Sequence, residues 1–364
     1  MVSPARRRWL GRALQAGGGL GLAALGLPAR ATLQWPRDHG AHPETRTEWW
    51  YVTGWLGRGE GPAAQPEQGF QITFFRSRTG LAAGLPGRFA PRQLLFAHAA
   101  VTDLARGRFG HDQRIARWTG APGAEPDHAA LDDARLRLAG WTLRDEGAQW
   151  RASIAGDGFA LQLTLTPTQP LLLEGPEGRS RKGPGPDDFS HYYSLPQLAV
   201  AGDVEIDGRR AHGAGRAWLD HEWSDHYLPA QAVGWDWIGM NLFDGSTLMA
   251  FAIRRADGSA LWAGGSWRRP GAAALYFLPA ELRLVPGRRW QSPASGARYP
   301  VQWQIDTPAG RFGVRALLQA QELDSRASTG TIYWEGLSEL LDERGRRIGL
   351  GYLEMTGYAG PLQL

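Results

Sequence analysis

Short aromatic and β-branched runs recur along this chain, with glycine-bearing turn dipeptides between several of them. Trp49-Trp50-Tyr51-Val52-Thr53-Gly54-Trp55-Leu56 is one such run, and Phe70-Gln71-Ile72-Thr73-Phe74-Phe75 is another. Leu94 to Val101, Leu161 to Leu165, Val200 to Ile206, Thr247 to Ile253, Val301 to Ile305 and Tyr352 to Tyr358 follow. Asp207-Gly208, Asp244-Gly245, Asp257-Gly258 and Arg344-Gly345 supply turn signals. Long helical patterns are hard to find. Strands of this length and spacing predict an all-β fold, either barrel or sandwich. Gly57 to Gln68, Ala121 to Ala130 and Gly175 to Asp188 are polar and rich in Gly and Pro, and they read as loops. The last carries Arg179, Arg181 and Lys182 and is expected to be a plain surface loop, with a lid as the alternative.

The order of runs repeats. Trp49 to Leu56 is followed by Gly69 to Arg76. Later, Gly234-Trp235-Asp236-Trp237-Ile238-Gly239-Met240-Asn241-Leu242 is followed by Ser246 to Arg254. Each pair is an aromatic strand, a turn, then an apolar strand ending in Arg. This reads as the opening hairpin of two related domains, although any two hairpins share some of this pattern. A length of 364 residues also favours two domains. The expected boundaries are 32–228 and 229–364, after a leader at 1–31.

The leader is read from its order of parts. Arg6, Arg7 and Arg8 precede Trp9-Leu10. A short apolar stretch runs from Gly17 to Leu27, and Pro28-Ala29-Arg30-Ala31 resembles a cleavage site. Arg6-Arg7-x-Trp9-Leu10 looks like a twin-arginine export signal. A membrane anchor is the alternative, but the apolar run is short of the ~20 residues that a span needs. A periplasmic or secreted protein is therefore expected, with no membrane span after the leader. The full chain has a formal charge of +4, and residues 1–31 hold five arginines and no acid, so the remainder carries 4 − 5 = −1. A nucleic-acid partner loses its electrostatic support. There are no cysteines. Disulfides and a lipid-modified N-terminal cysteine are both excluded.

Several motifs together resemble one family. These are His42-Pro43-Glu44-Thr45-Arg46-Thr47-Glu48-Trp49-Trp50-Tyr51, Gly69 to Arg76, Tyr192-Tyr193-Ser194 and Trp218-Leu219-Asp220-His221-Glu222-Trp223-Ser224. Gly234-Trp235-Asp236-Trp237, Tyr333-Trp334-Glu335-Gly336 and Gly351 to Tyr358 complete the set. In this order they are similar to the lipocalin-like family that contains carotenoid 1,2-hydratase (CrtC) and AttH. The resemblance covers nearly all of residues 35–360. It implies two tandem lipocalin-like antiparallel β-barrels and an apolar ligand, long and isoprenoid- or lipid-like, in a barrel cavity. It also implies a link to export-type ABC transporter components for the AttH branch. The family holds hydratases, cyclising enzymes and proteins labelled hydrolases. No cofactor is implied.

Hydrating an unactivated alkene needs a strong proton donor, a water, and walls that tolerate a carbocation. A carboxyl group in an apolar pocket stays protonated, and aromatic faces attract the cation. Asp220-His221-Glu222-Trp223-Ser224-Asp225-His226 is the densest polar cluster. Glu222, His221, Asp236 and Glu48 are the candidate catalytic residues, with Asp220 a further acid. Trp223, Trp235, Trp237, Trp50 and Tyr51 are the candidate ligand walls. In the hydratases of the family a His-x-Trp motif precedes a Tyr-x-Asp on a downstream strand. His221-x-Trp223 fits the first, but Leu248 to Ile253 stands where the second is expected.

Strand alternation limits the set. Asp220 and Glu222 point one way, His221 and Trp223 the other. Glu48 shares a face with Trp50, and Trp49 with Tyr51. Glu48 is either an acid at a barrel mouth or the partner of an arginine such as Arg76. Asp236 faces away from Trp235 and Trp237 and is either a core ion pair or a cavity acid. The whole cluster is equally readable as a hydrogen-bonded plug closing a barrel. No metal is expected: His221-Glu222-x-x-x-His226 is one residue longer than the helical H-E-x-x-H motif. No G-x-S-x-G elbow is present. Three readings stand: an enzyme on an apolar ligand, a carrier without chemistry, and a structural protein with solid barrels.

Overall fold

A computed structural model describes residues 33–80, 92–119 and 127–362 of the chain. The expected leader lies outside the described residues, as does most of the Ala121–Ala130 loop. The described residues are almost entirely strand, with three short 3-10 turns. No helix among them is long and apolar enough to cross a membrane.

The first sheet uses strands between Thr47 and Ser224. Its order runs from Arg108–Trp118 through Gln93–Asp103, Gln65–Arg78 and Thr47–Arg58. It continues through Arg209–Ser224, Phe189–Ile206, Phe159–Thr166, Trp150–Gly156 and Trp141–Asp145 to Arg135–Leu138 and His128–Ala129. The opening strand pairs with the closing one, Tyr51 opposite Asp220. Arg108–Trp118 comes back against Arg135–Leu138, so the sheet curls into a nearly closed antiparallel barrel. Side chains fill its interior, Trp50, Trp118, Trp141 and Trp150 among them. In small barrels such bulky side chains can fill the lumen as a core.

The second sheet repeats the plan between Gly234 and Met355. Gly234–Leu242 pairs with Thr247–Arg254 on one side and with the last strand, Arg347–Met355, on the other. Phe277 and Ala263 from one end of the sheet share a core with Trp303 and Phe312 from the other, and Trp267 stacks on Phe312 at 5.6 Å, so this sheet also wraps its own interior. The sequence echo therefore marks the hairpin that opens each half.

Local chemistry explains the connections. Ile206 and Arg209 are joined by Asp207 and Gly208, both with positive φ (51° and 73°). That is the two-residue hairpin turn in which Asp-Gly is favoured. The other three turn dipeptides also fall between successive strands.

Two expected loops differ. Thr47–Arg58 and Gln65–Arg78 extend well into the Gly57–Gln68 stretch and pair there, Arg58 opposite Gln65. A bulge at Leu56/Gly57 absorbs the irregular residues, so only a short tip remains. The Gly175–Asp188 stretch is not a plain surface loop. Arg179–Arg181 pairs with Phe189–Ile206, and Lys182 is only 1% exposed because its ammonium meets a buried carboxylate.

Burial patterns show where the halves meet. Phe159–Thr166 alternates between buried and accessible, as a strand with one wet face should. Thr247–Arg254 and most of Thr47–Arg58 are buried on both faces. The second face of these strands forms a shared apolar layer with Tyr51, Trp218, Trp237, Phe251 and Tyr352.

Candidate functional site

Within that layer lies a cavity of about 240 Å³. Strand register decides what lines it. Trp49 and Tyr51 share a face with Phe75 and Thr73 on the neighbouring strand, and these with Phe96 and His98 on the next. On the other side, Trp49 stands opposite Glu222 and Tyr51 opposite Asp220. The second sheet contributes Trp235, Trp237, Tyr333, Glu335 and Glu354. The cavity is thus between the two sheets, not inside a barrel as expected. The outer faces of the opening hairpins build it, while their inner faces fill the barrels.

Four acids face this space, and they differ in their partners. Glu222 takes the Lys182 ammonium at 2.7 Å and the Ser190 hydroxyl. Burial pushes its carboxyl up and Lys182 pulls it back, leaving it raised. Lys182 also sits 4.2 Å from the Phe251 ring and 4.9 Å from Tyr192. Asp220 pairs with no cation among the described residues. It accepts from Tyr192 Oη at 2.7 Å, Ser194 Oγ at 2.5 Å and Trp218 Nε1 at 2.5 Å. Burial outweighs these donors and holds Asp220 well above the usual carboxylate range.

Glu335 and Glu354 stand directly opposite each other on Ile332–Leu341 and Arg347–Met355. Like charges in that position repel. Burial and the facing Glu354 carboxylate hold Glu335 well above its ordinary value. The nearby Tyr51 hydroxyl approaches this carboxyl and draws it down a little against burial, but the contact falls short of a well-formed hydrogen bond. Glu354, partly open to the cavity, is pushed up to about 8 by burial and by Glu222. Two carboxyls facing one another without a cation share protons rather than both ionise. Aromatic rings stand beside them: Trp49 and Trp235 stack at 6.3 Å, and Tyr227 meets them edge-on at 4.5 Å and 5.3 Å.

His221, Trp223, Glu48 and Trp50 point the other way, into the first barrel. Glu48 is fully buried. Arg76 Nε reaches its Oε2 at 2.6 Å, and His42 Nδ1 and His221 Nε2 lie 2.7 Å and 2.9 Å from Oε1. Burial alone would raise Glu48, but Arg76 and His42 overcome it and hold the carboxyl well below its ordinary value. Burial lowers His221 to about 4 against the pull of Glu48. His221 stacks on Trp50 at 4.5 Å, and His42 on Trp223 at 3.9 Å. His42, Glu48 and His221 bring three ligand-type atoms within 4.8 Å of one another. Those atoms already bond to each other, and the carboxylate charge is already met by Arg76. This is the plug reading of the cluster. Asp236 also leaves the cavity: Arg254 Nε lies 3.3 Å away, and Tyr358 donates to it at 2.9 Å.

Of the residues singled out in the sequence, Glu222, Tyr51, Trp235 and Trp237 therefore meet at the cavity, with Asp220 beside them. Glu48, His221, Trp50, Trp223 and Asp236 do not. His98, on the Leu94–Val101 run, reads from the sequence as a hydrogen-bonded core or rim residue, and it bonds Tyr333 Oη and Ser328 Oγ at 2.8 Å each on the cavity wall. Sequence reasoning missed Glu335, Glu354 and Lys182. A signal for two of them was present: Glu335 follows Tyr333 by two residues and Glu354 follows Tyr352 by two. On a strand each pair shares a face. These are Tyr-x-acid arrangements, placed on the last two strands.

A model of the AttH-like family matches residues 27–358. The chain belongs to the AttH-like family. A crystal structure of an AttH-type protein from Nitrosomonas europaea is 42% identical, covering 91% of this chain and 98% of that one at a TM-score of 0.81. Kievitone hydratase of Nectria haematococca has the same fold at 13% identity, covering 91% and 94% of the chains with a TM-score of 0.67. In sequence, kievitone hydratase from Fusarium solani subsp. phaseoli is 22% identical over 194 residues, 52% of this chain. The matched region spans about half (54%) of that relative's length. The lipocalin-like fold of the AttH-like family is thereby established for this chain.

Proposed function

We propose that this protein is an acid-catalysed hydratase that adds water to a carbon–carbon double bond of an apolar molecule held between the two sheets. The single observation that carries this reading is the Glu335–Glu354 pair: two facing carboxyls, no cation, in an aromatic-walled cavity. Such a pair keeps a proton at neutral pH and offers it where water is scarce. The proton passes to the less substituted alkene carbon. The π electrons form that C–H bond, and positive charge develops on the neighbouring carbon. Trp49, Trp235 and Tyr227 line the cavity, and a ring face turned to the cation stabilises it. Water then bonds to the cation, and its spare proton leaves to a carboxylate of the cavity wall. Atoms balance as alkene plus water to alcohol, with no redox change.

Size narrows the substrate. A cavity of about 240 Å³ is below the ~300–1,000 Å³ that encloses drug-sized ligands. It accepts a compact molecule or one terminal unit of a longer isoprenoid-like chain. The sequence relative named a hydratase is consistent with this chemistry. The expected export through residues 1–31 and the transporter link belong to the same proposal.

The test is incubation of the purified protein with apolar compounds bearing a terminal trisubstituted alkene, followed by mass spectrometry. A product heavier by one water, absent with Glu335→Gln/Glu354→Gln, supports the hydratase. Tight binding with no product in either protein would replace it with a carrier.

A further inference from the structure

On the wall of the cavity, Asp220 is the end of a chain of buried polar groups that the reaction above does not use. Ser194 stands opposite Asp220 in the sheet, and its Oγ lies 2.5 Å from Asp220 Oδ1 and 3.0 Å from Glu174 Oε1. Glu174 is 1% exposed. It is fixed by the short strand Leu172–Leu173 and by its own backbone N–H, which donates to the Tyr192 carbonyl. Its Oε2 accepts from Ser266 Oγ of the second sheet at 2.6 Å. The order is Asp220, Ser194, Glu174, Ser266, with every member buried.

Counting protons decides the state of this chain. A serine hydroxyl has one proton and cannot donate it fully to two carboxylates. With Ser194 between two acids, one of them must donate to Ser194, so one must be protonated. Asp220 already receives Tyr192 Oη and Trp218 Nε1, which favour its anion. Tyr192 is committed as a donor there, because its oxygen accepts from Trp237 Nε1 at 3.1 Å. Among the described residues Glu174 receives only serine hydroxyls and makes no ion pair within contact distance. Burial raises both carboxyls, so the single proton belongs to the pair rather than to either acid alone.

We propose that Glu174 and Asp220 share a single proton across Ser194, which leaves the pair one negative charge and makes it the proton-accepting group of the cavity, with Glu174 the positioning partner of Asp220. The turnover role rests on the hydration reading; the shared proton does not. In turnover, the Glu335–Glu354 pair gives one proton to carbon. The O–H bond of the added water breaks, and its proton goes to Asp220. One proton leaves the pair and one reaches Asp220 per water added, and solvent at the cavity mouth returns it. Burial raises Asp220 and so makes it a stronger base than an ordinary carboxylate. Burial likewise raises Glu174 to about 7, against the two serine hydroxyls.

The experiment is an infrared pH titration of the full chain carrying ¹³C-labelled glutamate, for wild type, Glu174→Gln and Ser194→Ala. The difference between wild type and Glu174→Gln isolates the Glu174 carboxyl. A protonated-acid band present at pH 6 and lost with a midpoint near the value of about 7 is expected. Ser194→Ala should shift that midpoint by about one pH unit or more, as befits coupled sites. A Glu174 already ionised at pH 6, or a midpoint indifferent to Ser194→Ala, overturns the proposal. If Glu174→Gln does not fold, Ser266→Ala removes only the far hydrogen bond and must move the same band. In the hydration assay, Glu174→Gln should lower kcat about tenfold or more, leave KM unchanged and displace the acid limb of the rate–pH profile, with partial recovery in Glu174→Asp. Absence of any hydration by wild type refutes the function proposed above, while the infrared result still decides the shared proton.

Discussion

Two groups of buried acids sit in different parts of the fold, one inside the first barrel and one on the second sheet where it meets the first, and their surroundings drive them to opposite protonation states. Glu48, on the barrel side of Thr47–Arg58, has a guanidinium at 2.6 Å and two imidazoles within 3 Å. Glu335 and Glu354, on the side where the sheets meet, have each other. Burial raises all three. Only Glu48 has a cation to reverse it, so it alone is held low. The lesson is that a buried carboxyl is not in itself an acid catalyst. A carboxyl that lacks a cation and opens to a cavity holds a transferable proton; one closed in with arginine holds the fold.

The largest effect should come from removing the unpaired acids. Glu335→Gln/Glu354→Gln is expected to lower the hydration rate by ~10²–10⁴-fold, the usual worth of a positioned acid. Denaturant unfolding of the same variant should show no loss of stability at pH 7, because no ion pair is broken. A large drop in stability with the rate intact would reverse the roles assigned to the two groups.

Next in size is Arg76→Met. It strands a fully buried Glu48 carboxylate and should cost about 3–5 kcal/mol in urea unfolding. Glu48→Gln/Arg76→Met should recover much of this. If the single variant is as stable as wild type, Glu48 is not the anion described here.

The pH dependences should have opposite signs. Glu48 is lower in the fold than in the unfolded chain, so its contribution is present above its ordinary value and lost as pH falls below it. Glu354 is raised to about 8, so its contribution is full below about 4.5 and lost as pH rises through 8. Glu354→Gln should therefore flatten the alkaline side of the stability–pH curve and leave the acid side alone. An unchanged alkaline side would show that Glu354 titrates normally.

The smallest effect should be Tyr51→Phe. The buried Tyr51 hydroxyl makes only a poorly formed contact with Glu335, so its removal should change stability by less than about 1 kcal/mol. A loss of several kcal/mol in thermal or urea unfolding would mean that the Tyr51–Glu335 contact is a full hydrogen bond.

Much of the fold was legible in the chain itself. The aromatic runs, the Asp-Gly turns and the echo of the opening hairpin specify strands locally, because alternation and turn conformations depend on near neighbours. The same alternation correctly separated Asp220 and Glu222 from His221 and Trp223, and set Asp236 apart from Trp235 and Trp237. Alternation says which side chains share a face, but not what that face will meet. Both faces of Thr47–Arg58 are buried, one in a barrel and one against the second sheet, so periodicity alone could not tell core from cavity. Register over long separations decided the rest. It set Glu335 against Glu354, brought Lys182 from an apparent loop to Glu222, and joined Glu174 to Asp220 through Ser194. Those pairings depend on where distant strands dock, and no local run of residues carries that information.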